Sequence, residues 1–285
     1  MTLPKILVFG QTGQIATELA LQGTVTALPR SMADLSDPDA CAAIIAATDA
    51  DVIINAAAYT DVDAAETDEE LATIINGHAP AAMARAAAAR GLPFIHISTD
   101  YVFDGSGSAP IAPDTSNNPI NAYGRSKLVG EEGIRAAGGA YVILRTSWVF
   151  SAHGNNFVKT MLRLSQTRET LNVVGDQVGG PTAAADIAAT CLKLAQAFYA
   201  GNGKNGTYHY SGQPDVSWAG FAREIFEQSK RAVAVSDIPT VDFPMPAKRP
   251  GNSRMDCTKF ETTFGICRPN WRQSLGTVLK TLKDR

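Results

Sequence analysis

The stretch that most constrains the fold lies near the N-terminus, where the strand-like run Lys5-Ile6-Leu7-Val8-Phe9 meets Gly10-Gln11-Thr12-Gly13-Gln14-Ile15-Ala16 and an amphipathic segment through Leu21. A buried strand, a tight glycine turn and a helix in that order open a dinucleotide-binding unit. Gly10 and Gly13 allow the turn and a close backbone approach, so that a pyrophosphate can rest on the helix N-terminus. Ala16 keeps the third position small where helix and strand pack.

The alternation continues. Thr24 to Leu28 reads as a second strand, and Asp37-Pro38 opens a helix through Ala47, with an N-capping carboxylate and proline at the first helical position. Asp51 to Asn55 is the next strand, running into the small residues Ala56-Ala57-Ala58 before Tyr59-Thr60. An Ala-rich helix from Asp68 to Arg90 stops at Gly91, a buried strand covers Phe94 to Ile97, a helix runs from Tyr123 to about Ala137, and Tyr141 to Leu144 returns as a strand. Helix and strand alternating at short connections imply an α/β fold, a Rossmann-type doubly wound parallel sheet with right-handed crossovers.

After Arg145 the regularity weakens. Helices are expected near 157–168, 183–200, 217–230, 256–264 and 273–283, with a short strand at 208–210 rejoining the sheet and a proline-rich link at 239–250. This half predicts a smaller α+β substrate-binding lobe. The dinucleotide-binding domain is expected to comprise 1–150 plus approximately 183–212, and the lobe approximately 151–182 plus 213–285.

The 285 residues are 45% hydrophobic and 19% charged with a formal net charge of -3, which argues against a basic nucleic-acid surface. Cys41, Cys191, Cys257 and Cys267 lack metal-like spacing and read as buried thiols. No long apolar span interrupts the chain, so the expectation is a cytoplasmic protein with neither a membrane nor a nucleic-acid partner.

Candidate chemistry concentrates between His96 and Lys127. The strand ending at Ile97 delivers Ser98, Thr99 and Asp100 to its carboxyl end, where open parallel sheets bind ligands. Tyr123 and Lys127 stand four apart on one helix face, and of the seven tyrosines only Tyr123 has a lysine four residues later. An ammonium beside a phenol favours the phenolate and lowers its pKa, making the phenol a usable proton donor. An exposed helix face explains the pair alone equally well; the upstream glycine turn favours chemistry. At the end of the second strand, where an acidic residue would hold ribose hydroxyls, stand Pro29-Arg30-Ser31. Arg30 either receives a ribose phosphate, tilting the reading towards NADPH, or is a solvated loop arginine.

Several blocks together carry a resemblance: Gly13-Gln14, Ser98-Thr99-Asp100-Tyr101-Val102-Phe103-Asp104-Gly105, Tyr123-Gly124-Arg125-Ser126-Lys127, Arg145-Thr146-Ser147-Trp148-Val149, Gly175-Asp176-Gln177 through Pro181-Thr182, and Arg249-Pro250 with Asn252-Ser253. In order and distance the chain resembles the extended short-chain dehydrogenase/reductase superfamily and, within it, the dTDP-4-dehydrorhamnose reductase family. That resemblance implies reduction of a 4-keto nucleotide sugar to dTDP-L-rhamnose with NADPH or NADH. Tyr123 would donate the proton, Thr99 would hold the carbonyl oxygen, and Lys127 would lower the Tyr123 pKa and bind ribose hydroxyls. By the same correspondence Gly10, Gly13, Gln14, Ile15, Asp34, Leu35, Ala57, Ala58 and Tyr59 would join Arg30 at the cofactor. Asp100, Trp148, Arg249 and Asn252 would meet the substrate, the guanidinium of Arg249 suiting diphosphate oxygens; without the resemblance Trp148 reads as core. The family's magnesium site at a homodimer contact has one matching carboxylate here, Glu18, and Mg2+ and the homodimer rest on that match alone.

Three alternatives remain. A dehydratase of the superfamily places an Asp-Glu pair after the threonine, whereas Tyr101 follows Asp100 here. A reductase of another keto-deoxysugar nucleotide would share every motif. A non-catalytic regulatory subunit, like the beta subunit of methionine adenosyltransferase, need not retain the hydroxyl, phenol and ammonium that this chain carries.

Overall fold

Strand–helix alternation builds a single parallel sheet. In the computed structural model, which describes residues 3–284, the first half runs β1 (Ile6–Phe9), α1 (Gln14–Gln22), β2 (Val25–Leu28), α2 (Pro38–Ala47), β3 (Val52–Asn55), α3 (Glu69–Thr73), α4 (Ala79–Ala89), β4 (Phe94–Thr99), α5 (Ala122–Ala137) and β5 (Tyr141–Thr146). There follow β6 (Val149–Phe150), α6 (Phe157–Leu164), β7 (Thr170–Val174), β8 (Val178–Gly179), β9 (Thr182–Ala183), α7 (Ala184–Tyr199) and β10 (Gly206–His209). The chain ends with β11 (Val216–Ser217), α8 (Trp218–Ser229), β12 (Ala234–Ile238), β13 (Asn252–Ser253), α9 (Thr258–Phe264) and α10 (Trp271–Lys283).

The main sheet has the order β2-β1-β3-β4-β5-β10, every neighbouring pair parallel. One face buries Ile15, Leu19, Ile187 and Leu194 of α1 and α7; the other buries Cys41, Ile45, Met83 and Ile134 of α2, α4 and α5. Covered on both faces, the central strands are mainly apolar, and Ile6–Phe9 and Val52–Asn55 are buried throughout. Strand order reverses between β1 and β3, the switch point where a crevice opens at the carboxyl ends.

A second core gathers Phe150, Val158, Leu171, Phe221, Trp271 and Leu275 from the later segments. Here the structure adds strands absent from the sequence-based expectation: Thr170–Val174 and Ala234–Ile238 pair in parallel in a two-stranded sheet, β11, β8 and β13 form a three-stranded one, and β6 pairs with β9, all apart from the main sheet. The expected helix at 68–90 is also interrupted. Between α3 and α4, residues Ile74–His78 form a wide π-type turn. Pro80 has no N–H to continue the ordinary ladder, and the widened turn buries Asn76, whose Nδ2 donates to Tyr59 O at 2.9 Å and Ser126 Oγ at 3.0 Å.

Helix α5 is bolted to the sheet by charge. Glu131 and Arg145 are buried, and Arg145 donates to both carboxylate oxygens, Nε to Oε1 at 2.8 Å and Nη2 to Oε2 at 2.6 Å. Ser98 Oγ of β4 donates to Oε1 at 2.6 Å, and Arg135 Nη1 to Oε2 at 3.1 Å. Burial opposes ionisation of Glu131, yet Arg145, Ser98 and Arg135 together hold its carboxyl below the usual range.

Removing one partner of such a pair strands the other charge in the interior. Arg145→Leu is therefore expected to destabilise the protein by about 3–5 kcal/mol, read from the urea unfolding midpoint. A loss under about 1 kcal/mol, the range of an exposed pair, would show that water reaches this site.

Candidate active site

A cleft of about 750 Å³ opens at the carboxyl ends of the central strands, lined by Gly10, Gly13, Gln14, Ile15, Arg30, Asp34, Leu35, Ala57 and Ala58 at one end and by Thr99, Asp100, Tyr123, Lys127 and Trp148 at the other. At the first end Gly10 takes φ +109°, and a Cβ there would stand 3.3 Å from Ala57 N. Gly13 caps α1 without a side-chain hydrogen bond, so the first-turn N–H groups of the helix face an open cleft. These features fit a dinucleotide pyrophosphate. The loop after β6 clasps the turn, with Ser151 Oγ and Asn156 Nδ2 donating to Gln14 Oε1 at 2.8 and 3.0 Å. Arg30 lies exposed at the rim, its Nε 3.2 Å from Asp34 Oδ2. Tyr59 lies just beyond the wall, its backbone N–H donating to Asn76 Oδ1 at 2.8 Å.

At the chemical end the backbone turns at Thr99, whose hydroxyl accepts from Tyr101 N–H at 3.2 Å and donates to Asp100 Oδ1 at 3.1 Å. Asp100 is buried, and its Oδ2 has no hydrogen-bond partner within the chain; neither has the buried Thr146 Oγ1 in the same cleft. Burial pushes the Asp100 carboxyl up to about 6, against the hydroxyls of Ser253 and Thr99. Asn121 caps α5 by accepting from Gly124 N–H at 2.8 Å, which sets Tyr123 on the first turn and Lys127 on the second.

The tyrosine–lysine pair departs from the sequence-based expectation. Burial raises the Tyr123 phenol to about 12, with the Thr99 hydroxyl opposing and the Asp100 charge reinforcing the rise. Lys127 is held by β4, its Nζ 2.7 Å from Ile97 O and 3.0 Å from His96 Nε2, and burial lowers it to about 8 against the pull of Glu131. Helical spacing placed both side chains on one face; burial sets their protonation.

Two aromatic residues at this end went unread in the sequence. Tyr101 packs edge-on against Tyr123 at 5.6 Å, and Trp218 stacks on Trp148 at 3.6 Å and 10°. Trp148 adopts φ +49°, a left-handed conformation unusual for a bulky side chain, and it lines the cleft. Tyr101 and Trp218 also line a second cavity of about 1030 Å³, which Arg249 and Lys248 border. Tyr101 stands inside the Ser98–Gly105 block, but nothing local marks Trp218, seventy residues after its stacking partner.

The remaining candidates lie apart from the first cleft. Arg249 Nη2 pairs with Asp63 at 2.8 Å, while its buried Nη1 has no partner within the chain. Asn252 is buried and occupied, its Nδ2 donating to Ala109 O at 2.8 Å and its Oδ1 accepting from Arg254. Glu18 faces His153 Nε2 at 3.0 Å and Gln22 Nε2 at 3.2 Å. Among the described residues no group of three His, Cys, Asp or Glu side chains is arranged to hold a metal ion, and no helix is long and apolar enough to cross a membrane.

Comparison with known proteins places this geometry. Residues 4–284 match the family model described as RmlD substrate binding domain. The chain is 44% identical over 295 residues to a dTDP-4-dehydrorhamnose reductase of Burkholderia thailandensis, covering 98% of this chain and 99% of that one. It is 43% identical over 280 residues to one of Sinorhizobium fredii, covering 95% of each. Among solved structures, a dTDP-4-dehydrorhamnose reductase of Bacillus anthracis in complex with NADP superimposes with a TM-score of 0.92 at 32% identity, covering 98% of this chain and 100% of that one.

The Asp100 carboxyl supplies a test of the site's electrostatics. Its folded-state pKa lies above its ordinary 3.8, so its favourable contribution is complete below about pH 4 and is lost as pH rises through about 6. The rise corresponds to about 3 kcal/mol at neutral pH. Asp100→Asn keeps an acceptor for the Thr99 hydroxyl and should be more stable than the wild type at pH 7 but not at pH 4. Parallel stability curves for the two proteins between those pH values would show that the carboxyl is hydrated.

Proposed function

The chain belongs to the dTDP-4-dehydrorhamnose reductase family, and from that premise we propose that it reduces dTDP-4-dehydro-L-rhamnose to dTDP-L-rhamnose with NADPH or NADH. The observation that carries this reading is the convergence of Thr99, Asp100, Tyr123 and Lys127 in one cleft with the glycine turn. The reduced nicotinamide, when bound, supplies the hydride.

The protein's residues supply the rest. Hydride addition to a ketone leaves an alkoxide, and Tyr123, protonated because its phenol lies near 12, is the acid that neutralises it. Thr99 is the second hydroxyl at the carbonyl oxygen, placed by the Tyr101 N–H that it accepts. Lys127 is the cation available to the ribose hydroxyls and to Tyr123 once it leaves Ile97 O. The nucleotide moiety enters the second cavity, where the unpartnered Nη1 of Arg249 is a donor for the diphosphate. Asn252 shapes that approach by holding Ala109 and Arg254, and Trp148, stacked on Trp218, forms an apolar wall for the sugar. The corresponding division is a cofactor-binding body of 1–150 plus approximately 183–212, and a substrate lobe of approximately 151–182 plus 213–285 built around the second core.

Purified protein should oxidise NADPH or NADH when given dTDP-4-dehydro-L-rhamnose; binding of the sugar nucleotide without consumption of either cofactor would refute the proposal. Tyr123→Phe should bind cofactor normally and lose ~10²- to 10⁴-fold in kcat, the usual contribution of a general acid. Arg30→Ala should raise KM for NADPH by roughly tenfold, the loss of one charge-assisted hydrogen bond, and leave KM for NADH unchanged. An equal rise for both cofactors would remove Arg30 from the ribose phosphate.

A further inference from the structure

Beneath the cleft, Asn55 at the end of β3, His96 in β4 and Lys127 of α5 form a buried hydrogen-bonded chain whose polarity can be read from its ends. Asn55 Oδ1 accepts from Ala57 N–H at 3.2 Å, so the other side of the amide, Nδ2, is what faces His96 Nδ1 at 3.1 Å. An amide nitrogen offers only hydrogens, so Nδ1 accepts through its lone pair. A neutral imidazole then carries its proton on Nε2, which lies 3.0 Å from Lys127 Nζ. An ammonium offers no lone pair to that N–H. Only an uncharged amine accepts it, while still donating to Ile97 O at 2.7 Å. Turning the Asn55 amide over would set a donor against Ala57 N–H, and an imidazolium would set Nδ1–H against the Asn55 amide hydrogens. Burial also holds His96 well below its ordinary pKa.

We propose that His96, oriented by Asn55, is a positioning residue that holds Lys127 as an uncharged amine in the cofactor-free cleft, so that cofactor binding draws a proton from solvent onto Nζ. This rests on the reading of Lys127 given above. The proton leaves the conjugate acid of the buffer, forms an N–H bond with the Nζ lone pair and leaves the buffer as its base; nothing is oxidised or reduced. The ribose hydroxyls of the cofactor, as hydrogen-bond acceptors, favour the ammonium. Once protonated, Nζ can no longer accept from His96 and is released towards the cleft.

The other ionisable groups around Lys127 do not change charge in the relevant range. Tyr123, on the preceding turn of α5, titrates near 12. Glu131, on the following turn, is held ionised by Arg145 of β5 and by Arg135. Asp100 beyond β4 is pushed up to about 6, and burial holds His96 well below its ordinary value. Between pH 7 and 9 the amine alone remains to take up a proton.

Calorimetric titration of the full-length protein with NADPH, in phosphate and in Tris at pH 8.5, measures that proton directly. At this pH the 2′-phosphate is fully ionised, and an amine titrating near 8 should take up roughly three quarters of a proton per cofactor. At pH 7, where that amine is already mostly protonated, the uptake should fall to roughly a tenth of a proton. Asn55→Asp keeps an acceptor for Ala57 N–H but places an acceptor at Nδ1, so the tautomer should reverse and uptake at pH 8.5 should disappear. Nitrogen NMR of ¹⁵N-histidine protein at pH 9, with the His96→Gln spectrum assigning the signal, should show protonated Nε2 and bare Nδ1 in the cofactor-free wild type and the reverse in Asn55→Asp. Normal NADPH binding and turnover without proton uptake, or a wild-type His96 protonated on Nδ1, overturns the proposal while leaving the reductase reading intact. Absence of NADPH binding would instead count against the reductase reading.

Discussion

The bidentate contact between Glu131 and Arg145 is the interaction on which the rest of the site depends. Charges so deeply buried add little net stability compared with well-packed apolar residues, because desolvation offsets most of their attraction. What they add is direction. Glu131 lies one helical turn beyond Lys127 and two beyond Tyr123, so fixing its carboxylate to Arg145 on β5 and Ser98 on β4 fixes the rotation of α5 about its axis. An apolar contact would tolerate small rotations of the helix; a two-toothed one does not. The register of β4 against β5, with Ser98 opposite Arg145 and Thr99 opposite Thr146, then carries that orientation to the reacting end.

Helix α5 can sit so low only because its neighbours approach without side chains between them. A Cβ at Gly124 would stand 2.1 Å from Tyr101 O, and one at Gly130 would stand 2.2 Å from Asn76 O. Glycine inside a helix ordinarily costs about 1 kcal/mol relative to alanine, and here that deficit accompanies a close fit. Gly124 lets the first turn of the helix touch the backbone after Thr99, which brings Tyr123 beside the hydroxyl. Gly130 meets the carbonyl of Asn76 at the widened turn before α4, so the interruption in that helix and the glycine in α5 are two halves of one contact.

Features with local causes were legible in the sequence. The glycine turn, the capping Asp37-Pro38, the apolar strands and the Tyr123/Lys127 spacing each follow from neighbours a few residues away, and all are present. Features created by distant segments were not. Thr170–Val174 becomes a strand because Ala234–Ile238 pairs with it. Trp218 joins the site because Trp148, in a left-handed conformation, presents its ring. In the cofactor-free cleft the phenol is not lowered by an adjacent ammonium, for the same reason: helical spacing says which side chains share a face, whereas burial and contacts from another strand decide where the amine points.

That raised phenol has a directional meaning. Ketone reduction begins with a protonated tyrosine, and alcohol oxidation begins with a phenolate. Burial and the nearby Asp100 carboxylate both favour the protonated form, so the cofactor-free cleft rests in the state that the proposed role of Tyr123 as proton donor requires. A phenol near 12 is nevertheless a sluggish donor at neutral pH, since general acids work best when their pKa approaches the working pH. The correction has to arrive with the cofactor, and Lys127 is the group placed to deliver it. Above about pH 8, as an uncharged amine turned towards His96, it leaves the phenol high; as an ammonium released into the cleft it would bring the phenol down when hydride and ketone are both in place. Coupling the acid's strength to cofactor occupancy in this way explains why a lysine that could have pointed at Tyr123 from the outset is instead held one hydrogen bond away.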